Sequence, residues 1–209
     1  MFFTFCGIDC SGKSTQGLLL AKWFSDNKIP NLFTAEPTAQ YRSKILDIKI
    51  KMTPREELFL FLLDRVKHCE EVIIPHNEKG YWVVCDRYED STMAYQGYGR
   101  GLIDDPYFKS AVKYASLVKP ELTFILEVPY EVSFERKNKR PLDRMETEGH
   151  AFYDKVINGY RLLAKEDEKR YCIIYATRPK EEVHQEIVQV VKERSNSYKI
   201  WVASQKNGT

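Results

Sequence analysis

Short apolar runs recur along the chain at Phe2–Cys6, Asn31–Ala35, Trp82–Cys85, Leu122–Leu126 and Cys172–Tyr175. Runs of this length, rich in aromatic and β-branched residues, predict strands, and each is followed by apolar positions at helical spacing. Strands alternating with helices predict right-handed βαβ crossovers and a parallel sheet covered on both faces, an α/β fold. The clearest helix start is Thr53-Pro54-Arg55-Glu56, where Thr53 caps, Pro54 suits the first helical position and Glu56 completes a capping box. The spacing predicts a helix from Pro54 to about Ile74, ended ahead of Pro75, with Leu58, Phe59, Leu62 and Val66 as its apolar stripe. Phe61 and Arg65, four residues apart, share another face. Arg136–Gly149 is dense in charge and poor in large apolar residues, so it reads as an exposed, mobile insertion between helices. The final stretch, Ser195–Thr209, is polar apart from Ile200-Trp201-Val202 and receives no role.

Composition narrows the class. A length of 209 residues, 43% apolar, predicts a single domain spanning 1–209 around one sizeable core. Lys and Arg number 32 against 30 Asp and Glu, a net charge of +2, so no global field marks a nucleic-acid or membrane-surface binder. Five cysteines (Cys6, Cys10, Cys69, Cys85, Cys172), odd in number and without a Cys-x-x-Cys pair, read as reduced core thiols in a cytoplasmic protein. The apolar N-terminus meets Gly7 and Asp9 too soon for a signal sequence, and no later run approaches a membrane span. His68, His76, His150 and His184 lack ligand spacing, and no structural metal is expected.

The strongest chemical signal is Gly7-Ile8-Asp9-Cys10-Ser11-Gly12-Lys13-Ser14, followed by Thr15, which matches the phosphate-binding pattern G-x-x-x-x-G-K-[ST] between a predicted strand and a predicted helix. In such a loop, backbone N–H groups and the helix N-terminus surround phosphate oxygens. The lysine neutralises β/γ charge, and the serine hydroxyl ligates Mg²⁺. Those roles fall to Lys13 and Ser14. A second signal is the strand Trp82–Cys85 running into Asp86-Arg87, because the carboxyl ends of parallel strands face the ligand crevice. There Asp86 is placed for Mg²⁺ and Arg87 for bridging donor and acceptor phosphates; the duller alternative is a solvated ion pair at a strand end. A guanine-reading N-K-x-D is missing: Asn27-Lys28 and Asn138-Lys139 run into Ile29-Pro30 and Arg140-Pro141. The pattern is that of a P-loop kinase.

Along nearly its whole length the chain resembles the thymidylate kinases. The resemblance is carried by the Gly-x-Asp opening of the P-loop, by Glu36-Pro37, by Phe61-Leu62-Leu63-Asp64-Arg65, and most specifically by the run from Asp86-Arg87-Tyr88 through Thr92, Tyr95 and Gln96 to Gly101. It implies transfer of the ATP γ-phosphoryl to dTMP, giving dTDP and ADP, for dTTP synthesis, on a three-layer fold with a five-stranded sheet ordered 2-3-1-4-5. It further implies that Phe61 stacks on thymine and Arg65 reaches a base carbonyl. Thr92 and Gln96 would touch the base edge, Tyr95 would press on the sugar, and Asp9 would meet the 3′-hydroxyl and the metal region. From spacing alone, Phe61 reads as a core residue of an apolar helix and Tyr95 has simple packing as its alternative; the resemblance reverses the reading for Phe61.

By the same resemblance Arg136–Gly149 is a LID closing over ATP. The family takes a catalytic arginine from the P-loop or the LID, and with Cys10 in the P-loop position the LID must supply it, Arg140 first, Arg136 or Lys139 next. Arg144 is expected to pair with Asp143 or a neighbouring carboxylate. The chain departs from the family with Ala35 before Glu36-Pro37 and Thr38-Ala39-Gln40 after it, which leaves Arg42 as the nearest phosphate-binding substitute. Past the last strand the family's acidic residue is missing too, so Tyr175–Pro179 would form the adenine edge with Arg178 stacking there. The resemblance also suggests a homodimer. The rivals are a kinase for another deoxynucleotide or a deoxynucleoside, and an inactive nucleotide-binding paralogue.

Overall fold

The computed structural model describes residues 1–137 and 142–207. Its sheet contains five strands, β1 (Phe2–Cys6), β2 (Asn31–Ala35), β3 (Trp82–Asp86), β4 (Leu122–Glu127) and β5 (Tyr171–Tyr175), in the order β2-β3-β1-β4-β5. Every pairing is parallel, as the alternation of strands and helices predicts.

The helices are α1 (Lys13–Asp26), α2 (Ala39–Leu46), α3 (Pro54–His68), α4 (Ile74–Glu78), α5 (Glu89–Thr92), α6 (Phe108–Ala115), α7 (Tyr130–Arg136), α8 (His150–Glu166), α9 (Lys180–Arg194) and α10 (Asn196–Asn207). Successive side chains of a strand leave opposite faces, and both faces of this sheet are covered. On one, Phe3 packs against Phe24 of α1 and against Trp82. On the other, Phe2, Val83 and Cys85 join Cys69, Ile73 and Tyr88. All five cysteines are free, and burial pushes the Cys6 thiol up to about 12 and that of Cys172 to about 11.

The register places the site. Phe5 and Ala35 both pair with Asp86, so the carboxyl ends of β1, β2 and β3 lie side by side. The P-loop, Glu36-Pro37 and Arg87 therefore leave the sheet together.

The structure corrects several expectations. The Thr53 cap forms as a full capping box, but the helical run does not stop ahead of Pro75: a π-helical turn over Cys69–Ile73 follows α3, and α4 carries Pro75 in its first turn on to Glu78. The Ile74 N–H reaches back to the Cys69 carbonyl, five residues away, so the ladder is already shifted where proline lacks its donor. Phe59 is 63% exposed and drops out of the stripe, which Leu58 and Leu62 form with Phe108 and Val112 of α6. Nor is the Arg136–Gly149 segment exposed throughout: Lys137, Met145 and Glu146 are buried. The C-terminal stretch is helical, and its Tyr198 and Trp201 pack on the core, with Tyr198 5.5 Å from the Trp23 ring.

Candidate active site

The P-loop takes its shape from glycine. Gly7 leaves β1 at φ 137°, where a Cβ would sit 2.5 Å from the Leu126 carbonyl oxygen, and Gly12 caps α1 at φ 101°. The first turn of α1 then opens at Lys13 with its backbone N–H groups toward the loop, the arrangement that receives a phosphate. Lys13 is buried and donates to the Ile8 carbonyl at 2.7 Å. Burial and the neighbouring Arg87 lower its pKa, while Asp86 and Asp9 oppose them.

Ser14 Oγ donates to Asp86 Oδ2, and the other carboxylate oxygen, Oδ1, is buried without a partner. A hydroxyl and a carboxylate on hard oxygen atoms, with one oxygen still unsatisfied, fit a magnesium ion that keeps most of its waters.

Arg87 holds φ 72°, an uncommon conformation for a side-chain-bearing residue and one that tends to occur at functional sites. Its backbone N–H continues the sheet to the Phe5 carbonyl, and its guanidinium turns to Asp9 Oδ1, to the Gly7 carbonyl at 3.4 Å and over the Tyr95 ring. Asp9 also receives the Tyr153 hydroxyl at 3.0 Å, while Tyr95 lies 3.5 Å away. Burial alone would raise the Asp9 carboxyl, but Arg87, Lys13 and that hydroxyl hold it below the usual carboxylate range.

Two cavities meet at this point. One is lined by the P-loop residues Asp9, Cys10, Gly12, Lys13, Ser14 and Thr15, with Asp86 and Arg136. The other is lined by Pro37, Phe61, Arg65, Thr92, Tyr95 and Gln96. Asp9, Glu36, Arg42, Arg87 and Asp143 border both.

In the second cavity Phe61 is half-buried, and Arg65 is 1% exposed. Arg65 grips Glu36 Oε2 through Nε (3.0 Å) and Nη2 (2.8 Å), and Nη2 also donates to Thr92 Oγ1 at 2.9 Å. Its third nitrogen, Nη1, is buried and unpartnered. The Thr92 hydroxyl is thus turned to Arg65. Glu36 is backed by His68, whose Nδ1 lies 3.0 Å from Oε1 and whose Nε2 meets Thr34 at 2.7 Å.

Other predicted residues fall differently. Arg136 ends α7 and donates to the carbonyls of Cys10 (3.5 Å) and Ala176 (2.9 Å), which puts it beside the P-loop. Arg140 and Lys139 lie outside the described residues. Arg144 pairs with a carboxylate distant in sequence, Glu57 of α3, at 2.5 Å, and caps the Ile45 carbonyl at 2.8 Å. Arg178 turns to Glu186 of α9 and to the Tyr175 carbonyl, and it is not among the residues lining either cavity.

Sequence reasoning missed Glu57, His68, Lys137 and Tyr153. Glu57 stands four residues before Phe61 and His68 three after Arg65, so helical spacing placed both on the face of α3 that carries Phe61 and Arg65. No comparable signal marked Tyr153 or Lys137. The Lys137 ammonium is buried without a hydrogen-bond partner, 5.2 Å over the Tyr153 ring.

A family model described as Thymidylate kinase matches residues 5–187. The thymidylate kinase of Carboxydothermus hydrogenoformans is 38% identical over 193 residues, covering 89% of this chain and 94% of that one. That of Desulfovibrio desulfuricans is 39% identical over 198 residues, covering 88% and 91%. Among solved structures, the crystal structure of thymidylate kinase from Ehrlichia chaffeensis superposes with a TM-score of 0.72 at 31% identity, covering 91% of this chain and 98% of that one.

Proposed function

The chain belongs to the thymidylate kinase family, and from that premise we propose that it transfers the γ-phosphoryl of ATP to the phosphate of dTMP, giving dTDP and ADP, across the junction of its two cavities. The observation that carries this reading is the sharing of Asp9, Glu36, Arg42, Arg87 and Asp143 between the cavity on the P-loop and the cavity on Phe61 and Arg65. A donor on Gly7–Ser14, extending over Thr15, and an acceptor on the Arg65 side would bring their phosphates together at Arg87. The acceptor phosphate is already an anion, so its attack needs no strong base, and positioning with charge neutralisation does most of the work.

Lys13 neutralises the β- and γ-phosphates, Arg87 spans both phosphate groups, and Arg42 reaches the acceptor phosphate from α2. Ser14 and Asp86 would hold Mg²⁺, whose chemistry there is to offset charge on the β- and γ-oxygens. Phe61 stacks on the base, the unpartnered Arg65 Nη1 donates to a base carbonyl, and Tyr95 presses on the sugar with Asp9 beside it. The segment 136–149 acts as the LID, with Arg136 already against the P-loop and Arg140 as the candidate for the transferring group.

A homodimer in the cytoplasm is part of the same proposal. In support, Phe59 and Leu63 of α3 and Tyr114 of α6 are exposed, the cysteines are free, and among the described residues no helix is long and apolar enough to cross a membrane.

The test is ADP release with ATP and Mg²⁺ against a panel of nucleoside monophosphates. We expect dTMP to be the best acceptor, with dUMP poorer by about 1–3 kcal/mol in transition-state binding, the usual worth of one methyl group in a pocket. Preference for dCMP or for a ribonucleotide would overturn the acceptor assignment.

A further inference from the structure

Gln96 is 1% exposed, and its amide nitrogen lies 2.7 Å from Oε1 of Glu57. A carboxylate only accepts. The hydrogen in that bond therefore belongs to Gln96, and turning the amide over would set two oxygen atoms against each other in a buried place. Two arginines hold Glu57 as an anion, one of them sharing Oε1 with Gln96. Arg100 donates to it through Nε at 3.2 Å and Nη2 at 3.1 Å, and Arg144 through Nη1 at 2.5 Å. Burial by itself would raise the Glu57 carboxyl, but the hydrogen bonds from Arg100, Gln96 and Arg144 keep it below the usual range.

We propose that Glu57 is a specificity-determining positioning residue: it fixes the Gln96 amide so that the oxygen, not the nitrogen, serves the acceptor base in the cavity that Gln96 lines. The inference rests on reading that cavity as the acceptor-nucleotide site. With the amide fixed, the cavity offers a hydrogen-bond acceptor at Gln96 and a donor at Arg65 Nη1, which is buried and unpartnered. The edge of a thymine or uracil ring is complementary, with a carbonyl oxygen beside a ring N–H. Cytosine carries the opposite pair, an amino group beside a bare ring nitrogen, so it sets donor against donor at Arg65 and acceptor against acceptor at Gln96. Neither Glu57 nor its two arginines needs to touch the base. Their part is to forbid the one rotation that would let Gln96 present its nitrogen and tolerate cytosine.

Substituting Glu57→Gln removes the constraint with almost no change of shape, because an amide at position 57 both donates and accepts and leaves Gln96 free to turn. The measurement is kcat/KM for dTMP and for dCMP, with thermal unfolding as the check on folding. We expect the dTMP:dCMP ratio to fall by about 10- to 100-fold in E57Q, and we expect no further fall when E57Q is added to Gln96→Met, where there is no amide to orient. An unchanged ratio in folded E57Q protein, or an equal fall in the Gln96→Met background, overturns the inference. Absence of dTMP turnover in the unsubstituted protein would overturn the acceptor reading instead, which keeps the two failures apart.

A second measurement does not need E57Q to fold. The side-chain NH₂ signals of Gln96, identified by their loss in Gln96→Met, should be protected from hydrogen exchange before dTMP is added and should stay protected as it is titrated in. Loss of that protection on binding would show the nitrogen leaving Glu57 and would overturn the inference.

Discussion

Substituting Arg65→Met tests the acceptor site and the buried network behind it at once. Arg65 and Glu36 are 1% and 2% exposed at their side chains and meet at 2.8 Å, so the pair lies beyond the reach of solvent screening. Methionine keeps an apolar stem of similar length but leaves the His68 ring, at 3.0 Å, as the remaining side-chain partner of Glu36 among the described residues. Breaking a buried pair by removing one partner costs about 3–5 kcal/mol, a large part of the roughly 5–15 kcal/mol that holds a domain folded. At about 2–4 °C per kcal/mol for a chain of this size, Tm should fall by about 6–20 °C. Adding Glu36→Gln should recover part of the loss, since the stranded charge rather than the missing contact dominates. The catalytic effect separates from the structural one. Losing the Nη1 donor to a base carbonyl costs about 1.5–3 kcal/mol, so kcat/KM for dTMP should fall roughly 10- to 150-fold even in the doubly substituted protein. Calorimetry and steady-state kinetics on the same preparations read both. A Tm within about 3 °C of the parent would refute the argument from the buried pair, and unchanged kcat/KM would remove Arg65 from the site.

Lys13→Ala and Arg87→Ala should each lower kcat by about 10²–10³ or more, with circular dichroism unchanged; near-normal turnover would contradict their assigned roles. In the LID, Arg140→Ala should cut kcat with little change in KM for dTMP, and Cys10→Arg should restore part of the rate. Unchanged kcat in Arg140→Ala, Arg136→Ala and Lys139→Ala together would remove the LID from catalysis. Asp9 and Glu57 both have folded pKa values below their ordinary ones. The stability they contribute is therefore complete above the ordinary carboxylate range and is lost as pH falls below about 4. Thermal unfolding from pH 7 to 3 should show that loss, with a shallower acid slope in Asp9→Asn.

The features legible in the sequence were those with local causes. Strand alternation, the glycines of the P-loop and the capping box at Thr53 are each dictated within a few residues. The sheet order, by contrast, came from resemblance. What stayed hidden depends on partners distant in the chain. Arg144 was given a neighbour in sequence and found one 87 residues away in Glu57, and Tyr153 reaches Asp9 across 144 residues. Charge density made Arg136–Gly149 look solvated, yet a guanidinium that meets a buried carboxylate can itself be largely shielded from water, as Arg144 is with a side chain 11% exposed. Phe59 misled in the opposite direction, because an apolar residue one position off the packed stripe of α3 counts toward periodicity while facing outward.

The buried polar atoms left without partners bear on the same division between folding and function. Among the described residues seven side-chain atoms are in this state, and four of them (Ser11 Oγ, Arg65 Nη1, Asp86 Oδ1 and Lys137 Nζ) belong to the P-loop, the cavity on Phe61 and Arg65, the carboxyl end of β3 and the C-cap of α7. Leaving such an atom unsatisfied costs about 1–3 kcal/mol, more where it carries charge. Folding alone would favour apolar replacements at these positions. Arg65 and Asp86 line the two cavities that adjoin at Arg87, where they supply a cationic donor for a carbonyl oxygen and a carboxylate oxygen for a cation. Those are the complements of a nucleoside triphosphate with its metal and of a pyrimidine with a carbonyl edge. Their cost to the free protein is offset when substrates bind, so the stabilisation given by ATP with Mg²⁺ and by dTMP should be lost selectively when Asp86 or Arg65, respectively, is made apolar.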